Sequence, residues 1–237
     1  MDEAASGRER EAARFDASAG DYSRQIETAL GGIAGDHAFF VRHKAALLLD
    51  LLGRSAGGAR LLDVGCGIGL LHPHLRDRVA WLGGTDISAT SLAQAAGANP
   101  GVDYRPSSGG RLPFDDASVD LASLICVLHH VPPAERATLL AEVRRVLRPG
   151  GRVAIVEHNP WNPATQWVVL RCPLDEDARL LRPGVTRRLL RAAGCLPAPT
   201  RHLLFTPFQA RPFRRLDAAL GWLPLGAQYL AVGRRPA

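Results

Sequence analysis

Between Arg60 and Glu157 the apolar and polar positions run in two alternating periods. Short apolar runs of strand length occupy Arg60–Val64, Val79–Thr85, Val102–Arg105, Val119–Ile125 and Arg152–Glu157. Helical spacing fills Leu70–Arg78, Ser88–Ala98 and Pro133–Leu147 between them. Strands and helices of this length in strict alternation predict an α/β fold with a doubly wound, mostly parallel sheet and helices on both faces. The Pro133 helix carries the clearest end signals: Pro at its start, Glu135 in the first turn, Arg144, Arg145 and Arg148 near its end, and "PGG" as the stop.

Ahead of this block, Phe15, Tyr22, Ile26 and Leu30 follow a weak helical spacing over Ala5–Gly31, as expected of a lid laid on another surface. Asp36–Gly53 reads as a long helix, N-capped by Asp36 and broad in its leucine face. Behind the block, "HNPWNPATQW" interrupts the alternation and "TRRLLRAAG" is helical. "TRHLLFTPF" and "AQYLAVGRR" are strand-like and bring the sheet to seven strands. The chain therefore divides as one domain: a helical lid over 1–55, a core over 56–160, and substrate-side helices with terminal antiparallel strands over 161–237.

The chain has 237 residues, 46% hydrophobic and 22% charged, and no apolar run nears the ~18 residues of a membrane span. The charged start "MDEAASGREREAARF" lacks the apolar stretch of a secretory leader, so a cytoplasmic location is expected. Cys66, Cys126, Cys172 and Cys195 are far apart in sequence, without CxxC pairs or nearby histidines in ligand spacing. They read as free thiols, and no metal site is expected. The net charge of +6 is unevenly distributed: residues 178–237 hold 11 arginines against Asp217 alone, while Lys44 is the only lysine in the chain. Arginine has replaced lysine almost throughout, which weakens any inference of nucleic-acid binding from charge.

The stretch "LLDVGCGIGLL" places Gly65, Gly67 and Gly69 directly after a strand. Such a loop brings bare backbone N–H groups and a helix start close to a ligand. Its spacing is GxGxG, and Leu70 stands where the dinucleotide fingerprint GxGxxG needs its third glycine. An NAD-dependent oxidoreductase is thus the weaker reading. Asp86 ends the next strand 21 residues after Gly65, where a carboxylate can accept both hydroxyl protons of a ribose. Asp63 precedes the loop by two residues and can orient it or meet an ammonium group.

"LLDVGCGIG", "GTDIS", "LPFDDASVDLASLICVLHHV" and "LRPGGRVAIVE" follow one another as in class I S-adenosylmethionine-dependent methyltransferases, which the chain resembles over about Arg60–Glu157. It is most similar to the small-molecule, quinone-biosynthesis-like branch. The resemblance implies a Rossmann-like fold, S-adenosylmethionine as cofactor and methyl transfer to a small, apolar or aromatic acceptor. It implies that Asp63, Gly65, Cys66, Gly67 and Gly69 surround the methionine part, Asp86 the ribose and Ile87 the adenine, with Ile125 beneath the sulfonium and Tyr22 as a lid tyrosine. Relatives often carry an acidic residue before "LPF"; here Ser107 and Ser108 stand in that segment, and a serine is a weaker acceptor for the adenine amino group. A binding protein that no longer transfers methyl groups is the alternative.

Alignment of acceptor and donor is the main task of such a site, with a base needed only for acceptors such as phenols. Glu157 and His158, an acid–imidazole pair at the end of the fifth strand-like run, are the first candidates for that base. His129 and His130 after the fourth are the second. Asp36, His37 and His43 read as capping or exposed. Phe205, Phe208, Phe213 and Trp222 interleave with Arg211, Arg214 and Arg215 near the C-terminus. This segment reads as a connection between the last strands that packs on the core or a dimer partner, with weak contact to an anionic membrane surface as the other possibility. A monomer or homodimer is expected, with no nucleic-acid partner; an added basic domain is absent from the sequence.

Overall fold

The computed structural model describes residues 2–31, 37–108, 110–206 and 211–237. Asp36 and Phe208, named above, lie outside them. Helices α1 (Asp2–Ser18), α2 (Tyr22–Leu30) and α3 (His37–Leu52) occupy the stretch expected as a lid. The alternating block then gives β1 (Arg60–Val64), β2 (Trp81–Asp86), α4 (Ala89–Ala98), β3 (Asp103–Pro106), β4 (Val119–Ile125), α5 (Arg136–Val146) and β5 (Leu147–His158). The remainder forms α6 (Pro163–Arg171), α7 (Pro183–Ala192), β6 (Leu196–Pro197), β7 (Arg201–Leu203), α8 (Arg211–Ala219) and β8 (Gln228–Arg234).

The strands make one sheet in the order β3-β2-β1-β4-β5-β8-β6, with β7 also paired to β8. The first five strands are parallel; β8 enters antiparallel to β5, and β6 and β7 share its far edge. Eight strands by count therefore fill seven positions, the extra one being the short pair β6 and β7 at one edge. The chain steps outward from β1 to β3 and returns to place β4 beside β1. The sheet's order reverses there, which opens a crevice at the carboxyl ends of β1 and β4.

The central strands are buried on both faces. Leu61, Leu62, Leu121, Ala122 and the run Val153–Val156 are each no more than 1% exposed, as parallel strands covered by helices require. One face packs Leu140, Val143 and Leu190 of α5 and α7, and the other Leu47, Leu48 and Leu52 of α3. A separate small core joins Phe15, Tyr22, Ile26 and Ala29 of the lid to Val168, Cys172 and Leu174 beyond the sheet. The first two helices are thus held by apolar contacts to α6 and the turn after it. Among the described residues no helix is long and apolar enough to cross a membrane.

Two expectations need correction. Leu70–Arg78 is not an α-helix but two single 3₁₀ turns, His72–His74 and Arg76–Arg78. Its backbone bonds span three residues, as from His72 N to Gly69 O and from Leu75 N to His72 O. Pro73 cannot donate in a continuing ladder, and the His72 side chain is drawn into a buried network with Asp63 and Tyr104. The second correction concerns "LRPGG". It begins β5 as well as ending α5, because Leu147 pairs with Val119 across a register shift.

Candidate active site

β1 delivers Asp63 to the crevice at 2% exposure, and the loop after it turns through Gly65 and Gly67. Gly65 has φ +75°, and a Cβ there would lie 2.6 Å from Val127 Cγ2. Gly67 has φ +51°, yet a Cβ would meet nothing within 4 Å; its side faces open cavity. Gly67 N–H donates to Asp86 Oδ2 (2.8 Å) and Ser88 N–H to Asp86 Oδ1 (2.9 Å), so the carboxylate that ends β2 braces the loop. Burial pushes the Asp86 carboxyl above its ordinary value, against the pull of these N–H groups. Asp63 accepts from Ser123 Oγ (2.7 Å) and lies 3.3 Å from His72 Nε2, while His72 Nδ1 meets Tyr104 Oη at 2.5 Å.

These groups open onto a cavity of about 370 Å³ that runs from the glycine loop to the underside of the lid. Tyr22, Asp63, Gly65, Cys66, Gly67, Asp86, Ile87, Ser107 and Ile125 all line it, as do His129, His130 and His158. Gly69 does not: a Cβ on it would lie 2.7 Å from Tyr104 Oη, so it serves packing behind the loop. Ser108 is exposed and also lies outside the lining. Phe15, Ile26, Phe40, Val41 and Val168 make the opposite wall apolar.

Beside the glycine loop, past Val127, which packs against Gly65 and donates to Glu157, a chain of acids and imidazoles is gathered from four segments. Glu157, fully buried on β5, accepts Val127 N–H (3.2 Å) and Leu128 N–H (2.7 Å) with one oxygen and contacts His129 Nδ1 (2.5 Å) with the other. His129 Nε2 lies 3.3 Å from Asp175 Oδ1, and His130 lies 3.4 Å from the same oxygen and 3.1 Å from Glu11 Oε1 of α1. Burial disfavours charge on His129, but Glu157 and Asp175 outweigh it and raise its pKa to about 10. Glu157 and Asp175 are both held below the usual carboxylate range, the pairing with imidazoles overcoming burial. Cys126, at φ +59°, receives Lys44 Nζ (3.6 Å) and Gln228 Nε2 (3.4 Å) at its sulfur. Burial raises that thiol's pKa, yet Lys44 and His158 bring it down to about 6.

His158 is presented by the "HNPWNP" turn, which is stapled to the chain before β8. Asn159 donates to Pro224 O (3.0 Å) and Gly226 O (2.7 Å), and Asn162 caps α6 through Thr165 N–H (2.9 Å). Glu157 differs from its sequence reading in placement: both of its oxygens are engaged by the protein, whereas His158 reaches the cavity. Sequence reasoning did not single out Glu11, Lys44, His72, Cys126 or Asp175 as site residues. Only Lys44, as the lone lysine, carried any signal; the others converge through tertiary contacts.

Residues 62–155 match the family described as a methyltransferase domain. Over 117 residues the chain is 34% identical to a demethylmenaquinone methyltransferase of Beutenbergia cavernae, covering 48% of each protein. It is 34% identical over 137 residues to a phthiotriol/phenolphthiotriol dimycocerosates methyltransferase of Mycobacterium leprae, covering 54% of this chain and 46% of that one. The chain spans about half the length of the curated relatives it matches. A solved S-adenosylmethionine dependent methyltransferase from Mesorhizobium loti superposes with a TM-score of 0.58 at 25% identity, over 79% of this chain and 95% of that one. With the glycine loop, the acid-ended second strand and the reversed sheet order in place, residues 62–155 form a methyltransferase domain similar to those of S-adenosylmethionine-dependent methyltransferases.

Proposed function

We propose that the chain transfers a methyl group from S-adenosylmethionine to a small-molecule acceptor held between the glycine loop and the lid. The observation that carries this reading is the single cavity of about 370 Å³ that joins the braced loop to an apolar chamber roofed by α1 and α2. Its residues suit the cofactor. Gly67 leaves open space where a side chain would stand, and Asp86 uses one acceptance on each oxygen for backbone. A carboxylate offers about four lone-pair sites, so capacity for two ribose hydroxyls remains. Ile87 and Leu112 line the adenine side, and Asp63 and Cys66 the methionine side.

The cofactor, when bound, supplies a methyl group already activated on a sulfonium. The protein's part is then to align the acceptor and exclude water. Phe15, Tyr22 and Ile26 close the chamber from the lid side. Glu157 acts as a positioning residue that fixes the loop after β4 and the His129 ring, while His158 and Asp175 are the polar groups that meet the acceptor. An acceptor with a single hydroxyl on an apolar or aromatic body fits that division.

Titration calorimetry with S-adenosylhomocysteine, with NAD as the comparison, tests the donor half. Binding of the first alone is expected, and binding of NAD alone would overturn it. Formation of S-adenosylhomocysteine against a panel of phenolic and aliphatic hydroxyl compounds tests the transfer. Cofactor binding with no turnover on any member would favour a binding protein.

A further inference from the structure

The acceptor end of the cavity holds more ligating atoms than alignment of a methyl acceptor requires. His129 is 1% exposed, and its Nε2 is buried without a hydrogen-bond partner. The ring's other nitrogen is fixed by Glu157 Oε2 at 2.5 Å. An imidazole held at Nδ1 by a carboxylate and left open at Nε2 has the orientation of a metal ligand with its outer support already in place. Asp175 Oδ1 stands 3.3 Å from that Nε2 without hydrogen-bond geometry. One ligand atom each from His129, His158 and Asp175 lie within 4.8 Å of one another. Donors on one zinc-sized ion, with bonds of about 2.0–2.2 Å, are roughly 3–3.5 Å apart. The His129–Asp175 pair is therefore already at that spacing, and the widest separation in the group has about an ångström to close.

We propose that His129, His158 and Asp175 form a binding site for a divalent first-row transition ion, such as Zn²⁺, at the acceptor end of the cavity. Two imidazoles and one carboxylate suit such an ion; Mg²⁺ and Ca²⁺ favour all-oxygen sets. Three protein ligands leave a position open to the cavity. The three residues come from separate segments: the turn after β4, the end of β5, and the stretch between α6 and α7. This explains why no ligand spacing shows in the sequence.

The site has a consequence for the acceptor, and this part rests on the methyl-transfer reading. An acceptor hydroxyl on the ion is acidified: its O–H bond breaks, the electron pair stays on oxygen, and the proton leaves to solvent. The oxyanion then forms the O–CH₃ bond as the S–CH₃ bond of the donor breaks, giving a methyl ether and a thioether. The acceptor class is a phenol or enol that coordinates through oxygen.

The test uses the full chain, tag removed and stripped with a chelator, titrated with Co²⁺ while visible absorption is followed, and then with Zn²⁺. One equivalent of Co²⁺ giving d–d bands, displaced by Zn²⁺, is expected. Asp175→Asn and His158→Gln should each weaken it by about tenfold or more, and Glu157→Gln by on the order of 10–100-fold through the His129 ring. S-adenosylhomocysteine affinity, measured on the same samples, should stay unchanged, which shows that the variants are folded and separates this site from the donor site. Absence of a stoichiometric Co²⁺ spectrum, or binding retained in the Asp175→Asn/His158→Gln double variant, overturns the site. For the acceptor, transfer to a phenol should fall on stripping and return with Zn²⁺; full transfer by the stripped protein overturns the role of the ion while leaving methyl transfer standing.

Discussion

Gly65 and Gly67 stand two residues apart in one loop yet require glycine for different reasons. At Gly65 both the positive φ and Val127 forbid a side chain, so Gly65→Ala should cost about 1–3 kcal/mol of stability, read by urea unfolding. At Gly67 only the backbone objects, and Gly67→Ala should cost about 1–2 kcal/mol while also filling the space proposed for the cofactor. Calorimetry with S-adenosylhomocysteine should show weaker binding for Gly67→Ala in a protein that still folds. Asp86→Ala should lower the same affinity by more than about tenfold, since it removes both the ribose acceptor and the brace of the loop; an unchanged dissociation constant would remove the ribose assignment. His43 gives a pH signature independent of the site. Burial, then Arg214, Lys44 and Arg201, lower its pKa to about 4 against a small opposing pull from Asp50. The unfolded chain takes up this proton near its ordinary pKa of about 6.5, so stability falls as pH drops from about 6.5 to about 4. His43→Leu should flatten that part of the thermal-midpoint profile.

At the scale of elements, α1 is tied to the rest of the fold by polar junctions as well as by apolar contact, one of them at the start of α4. Ser88 caps α4 by accepting Ser91 N–H (3.0 Å), and its hydroxyl donates to Asp16 Oδ1 of α1 (2.5 Å), which also accepts Thr90 N–H (3.1 Å). A carboxylate at a helix N-terminus is favoured by the exposed N–H groups and the helix dipole. Ser88→Ala should therefore lose about 1 kcal/mol from the cap and release α1, whereas Asp16→Asn should loosen α1 with little change in global stability. Hydrogen exchange resolved by segment distinguishes the two: faster exchange confined to residues 2–18 is expected for Asp16→Asn, and unchanged exchange there would show that the other contacts of α1 seat it without this junction. The Leu70–Arg78 segment shows the limit of periodicity at this scale. Its apolar spacing is helical, but Pro73 and the burial of His72 against Asp63 leave isolated turns.

For the whole molecule, the arginine excess in residues 178–237 divides between structure and surface. Arg235 donates to the carbonyls of Arg144, Arg145 and Leu147 and so closes the end of α5. Arg214 and Arg215 instead lie exposed on α8 beside the exposed Leu216, with Trp222 75% and Leu225 59% exposed after it. Such a mixture predicts weak, salt-sensitive attachment to vesicles with anionic headgroups. Co-sedimentation with anionic and neutral vesicles checks it: binding to the anionic set at low salt is expected, and equal absence from both would leave this face without a lipid role.

The alternation of strand and helix, the GxGxG loop and Asp86 were legible in the sequence because each depends on local order: a period, a turn, an acid at a strand end. They set the α/β core and its strand boundaries, with β4 at Val119–Ile125 as expected from the apolar run. The strand-like piece "TRHLLFTPF" held β7 but not β6, which precedes it, since only pairing with β8 decides which residues become strand there. The cluster proposed to meet the acceptor was legible only as an adjacent Glu157 and His158 and a doubled histidine. That Glu157 would turn inward to His129, and that Asp175 would arrive from a distant segment, follows from side-chain direction on β5 and from the lid's own small core. Local sequence determined the framework of the proposed donor site, since a backbone loop and one strand end build most of it. Tertiary structure alone decided the proposed acceptor site, because its residues meet only after the sheet has reversed its order and α1 and the segment after α6 have packed beside it.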